Sequence, residues 1–480
     1  MKNKFNQIYL GLIILIATLL RLFKLDEINV WIDEAYQAFI VKKNLPELMN
    51  FIITHDNHPP LYYIFLHFWE KIADNTFFLR IPSVIFSVIS IYVLYLIVKE
   101  IFDENTALIS SLLYSFSFNS IIKAQEIRMY SLLGLEILLI VYSFIKIIKN
   151  ENNNKYWLLF GISTYLSWMT SYISFIITVI VNIFVIWCRK MDLKKWFIVQ
   201  ISLVVLFVFW INAMIFQYFY VEKNFCASSS MGYLNFFLQT FFYFFSGTVS
   251  SFLNNNQQIV VIIFSIIVIC YGIIKSFVNK DKNFILLITM CFIMPVVVLF
   301  IFKDKIFITR YYSAFIPFYL IFFAYAIVVC KKILTRILVY SVLIIYFILN
   351  MYNLNLWYNN PSYQISSWKQ AISYLSANIK PDDAIIVEYP SQIYLFKYYF
   401  KDKNDIYPLT LDQINTIQKM KKKYKRVWLA YSMGILNDHE KKIPKRLNLL
   451  FYYQSMSVFI NSNDREKDIL IILFNTNKSN

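Results

Sequence analysis

The stretch HDNHPPLYYIFLHFWEKI, residues 55–72, decides the fold. Pro59 and Pro60 suit the first turn of a helix. The aromatic-rich run after them falls short of the roughly 20 apolar residues that a bilayer crossing needs. Its Tyr, Phe and Trp side chains suit the membrane–water boundary, so 60–72 is predicted as a helix lying in the interface. The alternative can be tested by charge. If 60–72 crossed the bilayer, every later segment would invert, and the basic residues from Lys146 to Lys155 and from Arg189 to Lys195 would face outward. That arrangement contradicts the positive-inside rule.

With that choice made, the rest of the topology follows. The chain has 480 residues, of which 59% are hydrophobic and only 16% charged, with a mean hydropathy of +0.53. This is the composition of an integral membrane protein. Residues 8–20, IYLGLIILIATLL, are followed by no small-residue cleavage pattern and by many more apolar segments, so they read as a retained first span. Runs long enough to cross fall near 8–23, 81–98, 107–122, 130–147, 156–169, 173–188, 196–218, 258–275, 284–302, 312–330 and 334–352. These predict eleven transmembrane helices, 156–169 being short. With the N-terminus inside, the short cytoplasmic connections hold sixteen Lys and Arg residues, and the longer external ones hold fewer.

An odd number of spans leaves residues 353–480 outside. There the pattern changes to helix-like 366–379, strand-like 384–389, the run 392–400, helix-like 411–424, and β-rich 426–432, 456–460 and 468–474. The expected organisation is an α-helical polytopic membrane domain, 1–352, whose long external loop is 24–80, followed by a small extracytoplasmic α/β domain, 353–480. The basic cluster Lys419, Lys421, Lys422, Lys423, Lys425 and Arg426 reads as a solvated helix end, with anionic lipid or polymer at the membrane surface as the other reading.

Several chemistries are excluded early. The five cysteines are scattered singly with no CxxC pair, which suggests neither a disulfide framework nor a zinc–thiolate site. No GxGxxG, GxxxxGK[ST] or D-x-D occurs, so a sugar or phosphate handled here does not come on a nucleotide in the usual way.

The predicted orientation puts three charged stretches in one compartment: VWIDEAYQAF (30–39) with Asp33 and Glu34, KAQEIRMYS (123–131) with Lys123, Glu126 and Arg128, and FKDKIFITRYYS (302–313) with Lys303, Lys305, Arg310 and Tyr311. Each has a plain structural reading. Acids at a helix start favour the macrodipole, Glu126 and Arg128 make a local ion pair, and Lys303, Lys305 and Arg310 snorkel. Adjacent acids on one helix point about 100° apart, so Asp33 and Glu34 are expected to divide their tasks, one facing the reaction and one meeting a cation or metal. His55 and His58 flank Asp56 at i, i+3; two histidines in a loop specify little about metal, and His55 reads as structural. Together the loops fit a lipid-phosphate substrate. A phosphate needs Arg or Lys to bind it and to stabilise it as it leaves, and an acceptor hydroxyl needs a carboxylate base.

The ordered set WIDEAYQAF, HPPLYY, FFLRIPS and AQEIRMYSLL resembles the membrane glycosyltransferases of family 39 and their bacterial relatives with the C-superfamily fold. Protein O-mannosyltransferases and lipid A aminoarabinose transferases belong to that group. The resemblance covers residues 8–145 and continues through TRYYSAFIPFYL (309–320), and it does not extend to the C-terminal domain. It implies an inverting transferase that moves a hexose or pentose from a polyprenyl-phosphate carrier to a hydroxyl acceptor on the outer face of the cell membrane. Asp33 matches the aspartate regarded as the base, with Glu34 its neighbour, and His58 matches the HPP element. Glu126 and Arg128 match the charged motif of the second external loop, and Arg310 and Tyr311 a basic site near the donor phosphate; Arg80, Arg128 and Arg310 would hold that phosphate. The resemblance leaves a divalent metal ion open. The implied partners are the lipid-linked donor, a cell-surface acceptor and membrane lipids, with no nucleic acid. A flippase or transporter of lipid-linked glycans is the other functional class, and a polymerase or ligase of preassembled glycans a nearer rival. Transporters carry ionisable groups at mid-membrane and repeated halves, whereas here Glu136 is one of few charges inside a predicted span.

Overall fold

The computed structural model describes residues 2–149, 153–188, 192–221, 233–247, 253–301, 309–364, 366–387, 390–400, 404–408, 420, 423–432, 452–459 and 468–475. The chain divides into two compact units, one of Met1–Leu25 and Lys43–Leu354, the other of Asp26–Lys42 and Asn355–Asn480.

The first unit is helical. Helices are numbered along the whole chain: α1 is Lys2–Leu22, α2 Ile32–Ile40, α3 Leu45–His55, α4 Leu61–Glu70, α5 Thr76–Ile101, α6 Glu104–Phe116, α7 Phe118–Ala124, α8 Tyr130–Lys149 and α9 Asn154–Thr170. They continue as α10 Phe175–Cys188, α11 Leu193–Phe216, α12 Tyr233–Ser246, α13 Asn255–Asn279, α14 Lys282–Ile301, α15 Ile316–Val329 and α16 Ile333–Asn359. Among the described residues seven helices are long and apolar enough to cross a membrane: Phe5–Leu22, Thr76–Ile101, Tyr130–Lys149, Leu193–Val221, Asn256–Asn279, Tyr312–Val329 and Ile333–Asn359. Tyr172–Trp187 and Lys282–Val298 are shorter apolar helices. Of the other expected spans, 156–169 lies within α9, and 107–122 is broken at Ser117 into α6 and α7.

Polar side chains at the helix starts explain where these elements begin. Asn44, Asn75 and Asp103 accept hydrogen bonds from the backbone N–H of Glu47, Phe78 and Thr106, three residues on, satisfying donors that no helical carbonyl can reach. Pro82 inside α5 has no N–H, which strands the carbonyl of Phe78 four residues earlier. The indole N–H of Trp69 takes that carbonyl at 2.9 Å, and the Trp69 ring stacks on Phe78 with centroids 4.7 Å apart. This one defect therefore fastens α4, the helix of the deciding stretch, to α5. In α13 only glycine fits at 272, because a Cβ there would overlap the carbonyl oxygen of Phe322 in α15. Small residues of this kind let membrane helices approach closely.

The buried guanidinium of Arg21 organises the end of α1. Its Nε donates to Ser87 Oγ (2.8 Å), Nη1 to the carbonyls of Ala17 (3.1 Å) and Ser115 (3.2 Å), and Nη2 to Ser120 Oγ (2.7 Å). One side chain thus joins α1, α5, the end of α6 and α7. Gln125 donates to the carbonyls of Arg21 and Phe23, both at 3.0 Å, so the turn after α7 is held from the same place.

The second unit is an α/β fold. Its strands are β1 Ala384–Val387, β2 Asp405–Pro408, β3 Arg426–Ser432, β4 Tyr452–Phe459 and β5 Ile469–Asn475, in the order β2-β1-β3-β5-β4. The β1–β2 and β1–β3 pairings are parallel, while β3–β5 and β5–β4 are antiparallel. The period-2 alternation of strands sends Ile385, Val387, Trp428, Ala430, Ile471 and Leu473 to one face, under α17 (Trp368–Asn378) and α18 (Ile393–Tyr399). Ile386, Val427, Leu429, Ile472 and Phe474 pack on the other, with Met420 and Tyr424. The expected strands at 384–389, 426–432, 456–460 and 468–474 correspond to β1, β3, β4 and β5, and the expected helix 366–379 to α17. Residues 411–419 of the helix-like run lie outside the described residues.

This unit also contains a segment that is distant in sequence. Val30 and Ala35 share the core of Trp368, Ile372, Leu375 and Phe396. The Asn29 N–H donates to Gln364 Oε1 (2.7 Å) and its side chain to the carbonyl of Ser366 (2.8 Å). Tyr399 Oη accepts from the Val30 N–H at 2.5 Å and donates to its carbonyl at 3.3 Å. The Tyr36 ring meets Tyr394 edge-on at 5.1 Å, and the Lys397 ammonium lies 4.3 Å from the centre of Phe39. Tyr399→Phe removes the hydroxyl that holds both backbone groups of Val30. It is expected to loosen the start of α2 by about 1–2 kcal/mol, read as faster amide exchange over residues 29–35 with the sheet unchanged.

Candidate functional site

In the second unit, Asp33 and Glu34 occupy the first turn of α2, where negative charge is favoured. They differ in surroundings. Glu34 is 1% exposed, and its Oε2 accepts from the Trp31 N–H at 3.4 Å, so it caps the helix that carries it. Asp33 is half-buried.

In the first unit, α3 ends at His55, and the chain then turns through Asp56, His58 and Pro59 to Pro60, which precedes the first turn of α4 at Leu61. Asp56, in the sequence only a residue between two histidines, is the hub of the turn. Its Oδ1 accepts from the His58 backbone N–H (2.9 Å) and from Nδ1 of the His58 ring (2.8 Å), and its Oδ2 accepts from Tyr63 Oη (2.7 Å). Burial raises the pKa of this carboxyl, but the His58 bond and charge, the charge of Arg128 and the Tyr63 bond outweigh it and hold it at about 2. Asp56 is therefore a carboxylate at any cellular pH, and Nδ1 of His58 carries the hydrogen of their bond. An aspartate two residues before a histidine whose N–H it accepts is an Asx-type turn, a signal the sequence does carry. The His58 carbonyl accepts from Gln217 Nε2 at 3.1 Å, Gln217 Oε1 from Tyr172 Oη at 2.5 Å, and Tyr172 Oη from Trp210 Nε1 at 2.9 Å. His55 stays apart, stacked on Phe51 and bonded to Thr54.

The turn between α7 and α8 adds the cations. Lys123 Nζ lies 2.7 Å from Glu126 Oε1 with both side chains buried, and this pairing replaces the local Glu126–Arg128 pair considered above. Lys123 and Arg128 both face the Tyr130 ring, at 5.0 and 5.8 Å from its centre. The Arg128 carbonyl accepts from Ser83 Oγ at 3.3 Å, and Ser83 meets Tyr62 Oη at 3.1 Å. Tyr243 of α12 lies in the field of Glu126, Tyr130 and Arg310. Arg310 is held in a 3-10 turn, Thr309–Phe315, by the Ser313 Oγ bond to its carbonyl (2.8 Å).

The first unit thus joins Asp56 to His58 within the field of Arg128, sets Lys123 and Arg128 around Tyr130 with Glu126 on Lys123, and puts Arg310 in the field on Tyr243. Arg80 is fully buried and donates from Nη1 to the Leu25 carbonyl at 2.6 Å. Lys303, Lys305 and the Tyr311 side chain lie outside the described residues. Glu136, inside α8, accepts from Thr170 Oγ1 at 2.9 Å. Among the described residues no three His, Cys, Asp or Glu side chains come together to hold a metal ion.

Residues 57–215 match the family described as dolichyl-phosphate-mannose-protein mannosyltransferase. No curated protein sequence matches the chain. Among solved structures, the apo form of ArnT from Cupriavidus metallidurans is similar over 97% of this chain and 97% of its own, with a TM-score of 0.60 at 10% identity. A second structure of that protein, bound to undecaprenyl phosphate, has a TM-score of 0.59 at 10% identity over 96% of this chain and 97% of its own. The oligosaccharyltransferase AglB from Archaeoglobus fulgidus, in complex with an inhibitory peptide and a dolichol-phosphate, gives 0.56 at 13% identity over 95% of this chain and 73% of that one. The chain therefore matches the mannosyltransferase family model over about a third of its length and shares the fold of these membrane proteins along nearly all of it, with several helices long and apolar enough to cross a membrane.

Proposed function

We propose that this protein transfers a hexose or pentose from a polyprenyl-phosphate carrier to a hydroxyl acceptor on the outer face of the cell membrane, with inversion. One observation carries the reading: the buried charged cluster of Asp56, His58, Arg128, Lys123 and Glu126 in a domain of apolar helices, all but Asp56 within the segment that matches the mannosyltransferase family. Buried charge in a membrane domain is costly and marks function. Lys123 and Arg128 balance Asp56 and Glu126, and Arg310 adds a further cation, which fits a phosphate, a group that Arg takes in a planar two-point contact. The carrier is supported by the undecaprenyl phosphate of the ArnT structure and the dolichol-phosphate of AglB.

In the reaction, the acceptor oxygen bonds to the anomeric carbon as the bond from that carbon to the phosphate oxygen breaks. The hydroxyl proton passes to Asp33, and the electron pair leaves with polyprenyl phosphate. Arg128 and Arg310, with His58, bind the departing phosphate, and Arg80, Lys303, Lys305 and Tyr311 complete the donor side. Glu126 holds Lys123 in place, and Glu34 holds the first turn of α2 under Asp33. The outer-face orientation rests on the sixteen basic residues of the inner connections.

The test uses proteoliposomes of the full chain and labelled polyprenyl-phosphate hexoses and pentoses, with surface glycans of a deletion strain compared to the parent to find the acceptor. Release of polyprenyl phosphate coupled to a newly glycosylated acceptor supports the reading. Movement of the lipid between leaflets with its sugar still attached overturns it in favour of a flippase.

A further inference from the structure

The polar residue that closes α11 has no part in the transfer just described. Gln217 follows Phe216 at the start of a π-turn, Gln217–Val221, and is 1% exposed. By hydropathy it is only the polar edge of an apolar run, a helix end at the boundary of the bilayer. Its side-chain bonds are directed elsewhere. Nε2 donates one hydrogen to the Ile52 carbonyl (3.0 Å) and the other to the His58 carbonyl (3.1 Å), while Oε1 accepts from Tyr172 Oη (2.5 Å). Tyr172 Oη accepts in turn from Trp210 Nε1 at 2.9 Å.

These bonds can run in one direction only. An indole nitrogen donates and never accepts, so the Tyr172 oxygen takes the Trp210 hydrogen and sends its own to Gln217 Oε1. A carbonyl only accepts, so the edge of the amide that meets two of them is the NH2. Two hydrogens on one planar nitrogen suit two carbonyls that lie six positions apart in the chain and close together in space. The Ile52 carbonyl also takes the Asp56 N–H at 3.2 Å, so Gln217 closes the neck of the turn that holds Asp56 and His58. It reaches that turn from 159 positions beyond His58. π-turns are rare and gather at functional places.

We propose that Gln217 is a positioning residue: with Tyr172 and Trp210 behind it, its amide latches the turn from Ile52 to His58 onto the end of α11 and so keeps the donor side of the site in its binding shape. This rests on the donor assigned above, in which His58 serves the departing phosphate. Gln217 touches no substrate; it acts through the backbone of the turn, as a supporting residue holds a binding one in place.

The experiment compares the purified full-length protein with Gln217→Met, which keeps the length of the side chain and removes its three bonds. It reads amide exchange over residues 52–58, affinity for undecaprenyl phosphate by thermophoresis, and melting temperature. Gln217→Met is expected to exchange faster in this turn and to bind about tenfold more weakly, since two neutral hydrogen bonds to the turn are lost. Tyr172→Phe leaves the amide without the hydroxyl that orients it and is expected to bind about two- to threefold more weakly, and the double variant no more weakly than Gln217→Met alone. A merely structural role would lower the melting temperature of Gln217→Met and leave its affinity at the wild-type value; that result, or losses that multiply in the double variant, would overturn the proposal while leaving the donor assignment intact. If the wild type does not bind undecaprenyl phosphate, the donor assignment falls, and this proposal with it. Should Gln217→Met not fold, Tyr172→Phe decides: weaker binding with faster exchange in the turn supports the proposal, and wild-type binding overturns it.

Discussion

Replacement of Asp33 by Asn is expected to reduce sugar transfer by a factor of about 10² to 10⁴, the usual contribution of a positioned base, and to leave undecaprenyl phosphate binding unchanged. The size of the effect follows from chemistry. An amide has nearly the shape of the carboxylate but cannot accept the hydroxyl proton as the new bond forms. The substitution should be structurally quiet, because Asp33 is half-buried at the first turn of α2 and the helix start is capped by Glu34. Glu34→Gln is the contrasting variant. Glutamine serves at the same capping position, so it should keep most of the activity if Glu34 works only through the helix. Labelled transfer assays on the two variants, with melting temperatures alongside, decide the matter. Full activity in Asp33→Asn would remove Asp33 from the reaction, and a loss in Glu34→Gln as large as that in Asp33→Asn would show that the two acids share it.

Arg21→Leu should have the largest effect on stability. The arginine donates to Ser87, Ala17, Ser115 and Ser120 from a fully buried position, and leucine leaves those acceptors with nothing in its place. Stranded buried acceptors cost about 1–3 kcal/mol each, and in an apolar bundle water is a poor substitute. A loss of about 3 kcal/mol or more is expected, seen as a melting temperature several degrees lower in detergent. Arg21→Lys should rescue little, because an ammonium cannot reproduce the planar fork that reaches α5, α6 and α7 together. A lysine variant as stable as the wild type would show that charge, not geometry, is what the site requires.

How legible this was in the sequence depends on the kind of interaction. Hydropathy found the long apolar helices because each is a local property of one segment, and period-2 alternation found β1, β3, β4 and β5. It missed β2, a short edge strand of four residues ending in Pro408, and α3, whose boundary signal, Asn44 before Leu45-Pro46-Glu47, lies in a loop that was read for its charges. The break at Ser117 was hidden for another reason: hydropathy averages across a non-helical residue that Asn350 and Arg21 support from elsewhere, Asn350 by accepting from the Phe118 N–H at 2.7 Å. The charged cluster of the first unit is half legible in the sequence. Arg128, Glu126 and His58 stood out as charges in an apolar chain, but Asp56 looked like a spacer. Its importance lies in three bonds and one nearby guanidinium, and the last comes from a residue 72 positions later. The partners of the Asp33 helix were out of reach altogether, since nothing local in Asn29-Val30 points to Gln364 or Tyr399.

That last feature also sets an order of events during synthesis. The second unit is assembled from Asp26–Lys42 and Asn355–Asn480, so the ribosome makes α2 first and its partners more than 300 residues later. At about 5–20 residues per second, the segment carrying Asp33 waits some tens of seconds or more with Val30 and Ala35 uncovered and the Val30 N–H without its Tyr399 hydroxyl. Closing so long a loop costs little more entropy than closing a short one, so the delay is one of time rather than of stability. A chain that stops before α18 has neither Phe396 nor Tyr399, so its α2 lacks both the apolar core and the hydroxyl that hold Val30 in the finished unit.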